Sequence, residues 1–140
     1  MDERRMDAEI AVLEKHMPSN MFRFVRSGVD LRLMVAARTN QGNVYTLCMF
    51  LRDFPNSVPV VCVTKMLNSK GGKRLDSPDG AMHTLSSENG WTRICHYGSS
   101  SWTPRVSLFK VYVKARLWLE MYELHLLTGK PIDYYLNHQA

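Results

Sequence analysis

Three cysteines are present, Cys48, Cys62 and Cys95, and they differ in setting. Cys48 and Cys62 lie inside apolar runs, where a cysteine behaves as a small buried hydrophobe with an inert thiol. Cys95 lies in Gly90-Trp91-Thr92-Arg93-Ile94-Cys95-His96-Tyr97, within a stretch dominated by polar and small residues. A cysteine exposed beside histidine and arginine has the better access to its thiolate, which is both a strong nucleophile and a good leaving group. The chemistry such a residue offers is acyl transfer through a thioester. On residue type alone, a merely packed thiol is the commoner outcome for Cys95. No C-x-x-C spacing occurs, so neither a zinc site nor a disulfide framework is expected, and no metal ligands or cofactor are assigned.

Two histidines are candidate auxiliaries. His96 follows the cysteine directly; protonated, it would favour the thiolate, and neutral, it would take a proton from an incoming nucleophile. Against this, side chains adjacent in sequence often point apart. His83 stands twelve positions before Cys95, where a loop histidine satisfied by backbone is the competing reading.

The elements that must hold these residues follow from periodicity. Met6, Ile10, Leu13 and Met17 recur on one face of a helix from Glu3 to Met17, ended by Pro18-Ser19-Asn20. Four strands are then expected: Phe22 to Val25, Leu31 to Thr39, Val44 to Leu51 and Val58 to Thr64, with a turn at Asn40-Gln41-Gly42-Asn43. Lys65 to Ser101 shows no sustained period and reads as a long irregular segment of the kind that carries function. Thr103 as cap and Pro104 as first residue open a long helix with a wide apolar stripe: Leu108, Val111, Tyr112, Ala115, Trp118, Leu119, Tyr122 and Leu126. Gly129 and Pro131 close it, and a short helix over Ile132 to Asn137 follows. No repeat or linker breaks the chain, so residues 1–140 are expected as one α+β domain with an antiparallel sheet packed on helices.

The bulk properties exclude little but narrow the field. The net charge of +5 invites a nucleic-acid reading, yet Lys and Arg are spread over every segment and only Lys70, Lys73 and Arg74 cluster. A modestly basic face equally suits an acidic protein partner. No apolar run approaches the ~20 residues that span a bilayer, and the charged Met1-Asp2-Glu3-Arg4-Arg5 start is unlike a signal peptide. A soluble, cytoplasmic protein with no membrane partner is the expectation.

Four features together resemble the ubiquitin-conjugating enzyme family, and more closely its divergent prokaryotic branch. One is the order helix, four-strand meander, irregular segment, long helix. Another is Val44 to Pro59, which is similar to the family's third strand entering its F-P-x-x-Y-P-x-x-P turn; here Phe54-Pro55 and Pro59 match, Val58 replaces the tyrosine and the last proline is missing. Asn89-Gly90 leading to Ile94-Cys95 is similar to N-G-x-I-C with two extra residues. Trp102-Thr103-Pro104, seven positions after Cys95, is similar to the W-S-P before the family's second helix. As fold the resemblance covers roughly residues 1–127, and the specific motifs cover about half of that span. The segment Trp118 to Gly129 also looks like the ending of prokaryotic members.

The resemblance implies a ubiquitin-conjugating-enzyme-like fold and a transferase. Cys95 would take a ubiquitin-like modifier from an activating enzyme as a thioester and pass it to an amine on a target protein. It implies a setting too, a prokaryotic conjugation system linked to antiphage defence. His83 would match the histidine of the family's H-P-N motif, but the asparagine that stabilises the oxyanion has no counterpart. Asn89 is the first choice as its substitute, with Ser86 and Ser87 behind it. Trp102 and Pro104 would position the active-site loop, and Arg4, Arg5 and Lys15 on the first helix would form the partner-binding face.

Other readings stay open. A non-catalytic variant of the same fold would bind or scaffold and tolerate Cys95→Ala. A thiol hydrolase would pair Cys95 with His83, His96 or His125. A nucleic-acid binder would show salt-dependent affinity indifferent to Cys95.

Overall fold

The structure, a computed structural model, describes residues 1–137. Helix α1 (Glu3–His16) opens the chain, with Asp2 accepting the Arg5 N–H as its cap. Four strands follow: β1 (Phe22–Ser27), β2 (Asp30–Arg38), β3 (Val44–Phe50) and β4 (Val60–Val63). They pair in sequence order as an antiparallel meander. In β2 the buried set is Leu31, Leu33, Val35 and Ala37, every second residue.

The sheet has six strands where the sequence reading had four. β5 (Thr84–Glu88) and β6 (Trp91–Ile94) form a hairpin inside the segment read as irregular, and the sheet order is β1-β2-β3-β4-β6-β5. The turn is Asn89-Gly90, both in left-handed backbone with φ of 56° and 74°. That conformation suits the two-residue hairpin turn that Asn-Gly favours. Short strands rich in serine and threonine hide their period, so the turn dipeptide was the stronger signal. Thr92, fully buried on β6, donates its hydroxyl to the Leu75 carbonyl at 3.0 Å and accepts the Leu67 N–H at 2.8 Å. It thereby fastens the segment between β4 and β5 to the sheet.

Helix α2 (Leu108–Thr128) lies across the inner face of the sheet. Leu108, Val111, Ala115, Trp118, Leu119 and Tyr122 meet Leu33, Leu47, Met49, Val61 and Ile94 in one core, while Leu126 of the expected stripe is exposed. The helix starts later than Thr103-Pro104: Ser107 is the cap and accepts the Lys110 N–H. Thr103 and Pro104 instead form a turn ahead of it, closed by the Val106 N–H on the Thr103 carbonyl. The start is set by tertiary contacts. The carboxylate of Glu9, buried on α1, accepts the Leu108 N–H at 2.7 Å. Glu9 also pairs with Arg5 at 2.8 Å, and the Arg5 guanidinium donates to the carbonyls of Pro104 and Val106. Helix α3 (Ile132–Asn137) folds back after Gly129, anchored by fully buried Ile132 and by the Asp133 N–H on the Ala81 carbonyl at 2.8 Å. None of the helices among the described residues is long and apolar enough to cross a membrane.

Candidate active site

Cys95 follows the last residue of β6 and is half-buried, whereas Cys48 and Cys62 are fully buried. Cys48 and Cys62 face one another across β3 and β4. Burial pushes the Cys48 thiol up and the Cys62 thiol up to about 12, so neither offers a thiolate near neutral pH. Cys95 is the one cysteine placed for chemistry.

Two depressions adjoin it. One, of about 220 Å³, is lined by His83, Cys95, His96, Lys114, Trp118 and Leu136 among others. The other, of about 400 Å³, is lined by Pro78, Asp79, Gly80, His83, Thr84, Leu85 and Cys95. Cys95 and His83 border both.

The structure joins His83 to Cys95 by backbone as well. The Cys95 N–H donates to the His83 carbonyl at 2.9 Å. The same carbonyl accepts the Trp118 indole N–H at 3.1 Å. His83 holds left-handed backbone, with φ of 50°. A non-glycine residue there costs about 1 kcal/mol and persists only where its surroundings hold it. Its ring Nε2 lies 2.8 Å from Asp133 Oδ1 on α3. The ring is thus held by a carboxylate fifty residues away and not, as the competing sequence reading has it, by backbone.

His96 takes a different role from either one expected of it. Its Nδ1 sits 3.4 Å from the Ile94 carbonyl, and its Nε2 is buried with no partner among the described residues. Burial lowers its pKa to about 4, outweighing the Ile94 hydrogen bond that raises it, and Lys114 and Arg93 add to the lowering. At neutral pH it carries no charge with which to favour a Cys95 thiolate, and it is a poor base.

Asn89 is not at the site. It occupies the hairpin turn at the opposite end of β6, and four strand residues at ~3.3 Å each put it more than about 13 Å from Cys95. It borders neither depression, so it cannot stand in for an oxyanion donor there. Asparagine is present because the turn needs left-handed backbone.

Trp102 donates its indole N–H to the Pro55 carbonyl at 3.0 Å and packs edge-on against Phe54 and Tyr97. It ties the segment after Cys95 to the turn between β3 and β4. Pro104 contributes through its carbonyl, held by Arg5. Arg5 is therefore engaged within the molecule, lying also over the Phe54 ring, while Arg4 and Lys15 are exposed. His125 is structural: its Nε2 accepts the Lys70 N–H at 3.0 Å and its Nδ1 donates to the Lys130 carbonyl at 2.8 Å. No group of metal-ligating side chains occurs among the described residues.

The site sequence reasoning missed is Asp133. It belongs to a weakly patterned six-residue helix, and only the fold-back after Gly129 brings it to His83. Fold and site together define an α+β domain with one accessible cysteine at a sheet end, flanked by a histidine–carboxylate pair. No protein-family model, curated protein or solved structure matches the chain.

Proposed function

We infer that this protein is a ubiquitin-like-protein conjugating transferase. It accepts the C-terminal glycine of a modifier from an activating enzyme as a thioester on Cys95. It then hands that acyl group to an amine on a target. The observation that carries the reading is the setting of Cys95: half-buried at the end of β6, bordered by two depressions, with the other two cysteines sealed in the sheet. An acyl chain and a nucleophile must approach a thioester from different directions, and two adjoining depressions supply both approaches. The succession of N-terminal helix, antiparallel meander, Phe54-Pro55 turn, Cys95 and Trp102 ahead of α2 supports the same reading. The ubiquitin-conjugating-type fold and the prokaryotic conjugation setting are part of this proposal. A non-catalytic scaffold of the same fold is the second reading, favoured by the absence, among the described residues, of an asparagine beside Cys95.

Co-expression with an activating enzyme and modifier, read on gels with and without thiol reductant, separates the two. The transferase forms a reductant-labile adduct heavier by one small domain, absent in Cys95→Ala and converted to a reductant-resistant oxyester in Cys95→Ser. Binding to the modifier or activating enzyme by Cys95→Ala, with no adduct from wild type, establishes the scaffold.

A further inference from the structure

We propose that His83 is the general base for acyl transfer from Cys95 and that Asp133 is its positioning residue. The inference rests on the acyl-thioester reading of Cys95. Transfer to an amine needs a proton acceptor near the thioester, because the attacking nitrogen must shed a proton as the C–N bond forms. Among the described residues, the ionisable neighbours that line the two depressions are Asp79, His83, His96 and Lys114, besides Cys95 itself. Three of them are committed elsewhere. Asp79 accepts the N–H groups of Ala81 and Met82 and pairs with Lys73 at 3.5 Å. The Lys114 ammonium sits 3.9 Å over the Tyr97 ring. His96 is held by the Ile94 carbonyl with its other nitrogen buried.

His83 remains, and its ring is oriented by a carboxylate. With Nε2–H donated to Asp133, the neutral ring carries its lone pair on Nδ1, the nitrogen nearer the backbone to which Cys95 is bonded. The carboxylate both fixes that tautomer and stabilises the imidazolium that forms when the lone pair takes a proton, the division of labour of a nucleophile–base–orienter triad. The left-handed backbone of His83 points the same way. The fold spends strain to hold this residue, and the Trp118 indole and Cys95 amide grip its carbonyl.

In the step itself the amine nitrogen attacks the thioester carbonyl and its proton passes to His83 Nδ1. The C–S bond then breaks and Cys95 departs as thiolate. The proton on His83 is released to that thiolate or to water, which restores the starting state. Asp133 stays ionised throughout.

The test uses a small peptide thioester ending in glycine, exchanged in excess onto Cys95, so that it does not depend on any modifier. Mass spectrometry follows decay of the adduct in free lysine, in hydroxylamine and in buffer alone. Hydroxylamine is already neutral near neutral pH and far less dependent on a base. In His83→Gln the lysine-to-hydroxylamine rate ratio should fall about tenfold or more, and Asp133→Asn should lower it in the same direction but less. An unchanged ratio overturns the proposal, whether both rates stay at the wild-type level or fall together as a structural role would make them. If buffer alone discharges the wild-type adduct as fast as lysine does, the base serves water. If His83→Gln also slows that discharge in buffer, His83 keeps its role while the transferase reading fails; if it does not, both fail.

Discussion

At the scale of the residue, the three cysteines and His96 make separate statements about solvent. Cys48 and Cys62 lie across from each other in the sheet interior with thiols pushed up by burial, and Cys95 is the accessible one. A thiol-directed reagent such as iodoacetamide should modify Cys95 first in the native protein. Cys48 and Cys62 should react only after denaturation, as peptide mass spectrometry of a time course would show. His96 sets a pH dependence of stability. Unfolded, it binds a proton near pH 6.5; folded, only near pH 4. Between these values the unfolded chain binds more protons, so stability falls as pH drops from about 6.5 to about 4 and is unaffected above that window. The full shift corresponds to roughly 3 kcal/mol as an order of magnitude. Urea midpoints across that window should slope less in His96→Leu than in wild type; equal slopes would assign the acid sensitivity to other groups.

At the scale of the element, the junction of α1 and α2 shows how a helix start can be chosen from a distance. Thr103-Pro104 has the composition of a helix start, and locally that reading is sound. The chain departs from it because Glu9 offers a buried carboxylate to the Leu108 N–H and Arg5 gathers the two carbonyls before it. Glu9→Ala leaves the Leu108 N–H and the Arg5 Nε–H without their acceptor, and should cost about 3 kcal/mol in chemical denaturation. Combined with Arg5→Ala the loss should be less than additive, because the two side chains form one unit. A fully additive double mutant would show that Glu9 caps α2 without help from Arg5.

At the scale of the whole molecule, α2 is fastened at both ends by polar side chains while its middle packs the core. Toward its C-terminal end, buried Glu123 accepts from the Tyr45 hydroxyl at 2.9 Å and from Asn43 at 2.8 Å, which holds the β2–β3 turn against the helix. Burial, with help from Glu123, raises the Tyr45 phenol so that it stays a donor. Glu123→Ala should lower Tm by about 5–10 °C, from the loss of about 2–3 kcal/mol in this domain size. Glu123 lies nine helical residues beyond Lys114, about 13 Å along the axis, so adduct formation on Cys95 below the transition should persist. Loss of the adduct in a folded Glu123→Ala protein would mean that the hairpin end and the thiol end are coupled.

Much of the fold was legible because its signals are local and periodic. The β-branched and aromatic content of β3, the stripe of α2 and the terminators Pro18 and Gly129 each state their element without reference to the rest of the chain. Cys95 could be singled out because a cysteine outside an apolar run is a local contrast. The hairpin at Thr84 to Ile94 was legible only through Asn89-Gly90, and that dipeptide was read for chemistry when its job is the turn. What the sequence by itself determined is therefore the helices and the first four strands, the α+β class and the one cysteine that stands outside an apolar run. The tertiary structure decided which other groups share space with that cysteine. The pairing of His83 with Asp133, the burial of the His96 ring and the use of Arg5 inside the molecule all join residues whose separation along the chain carries no periodic signal, or depend on burial that only packing defines. Distance and desolvation are properties of the folded chain, and both act on charge, so the auxiliary groups of the site were the last thing the sequence could disclose.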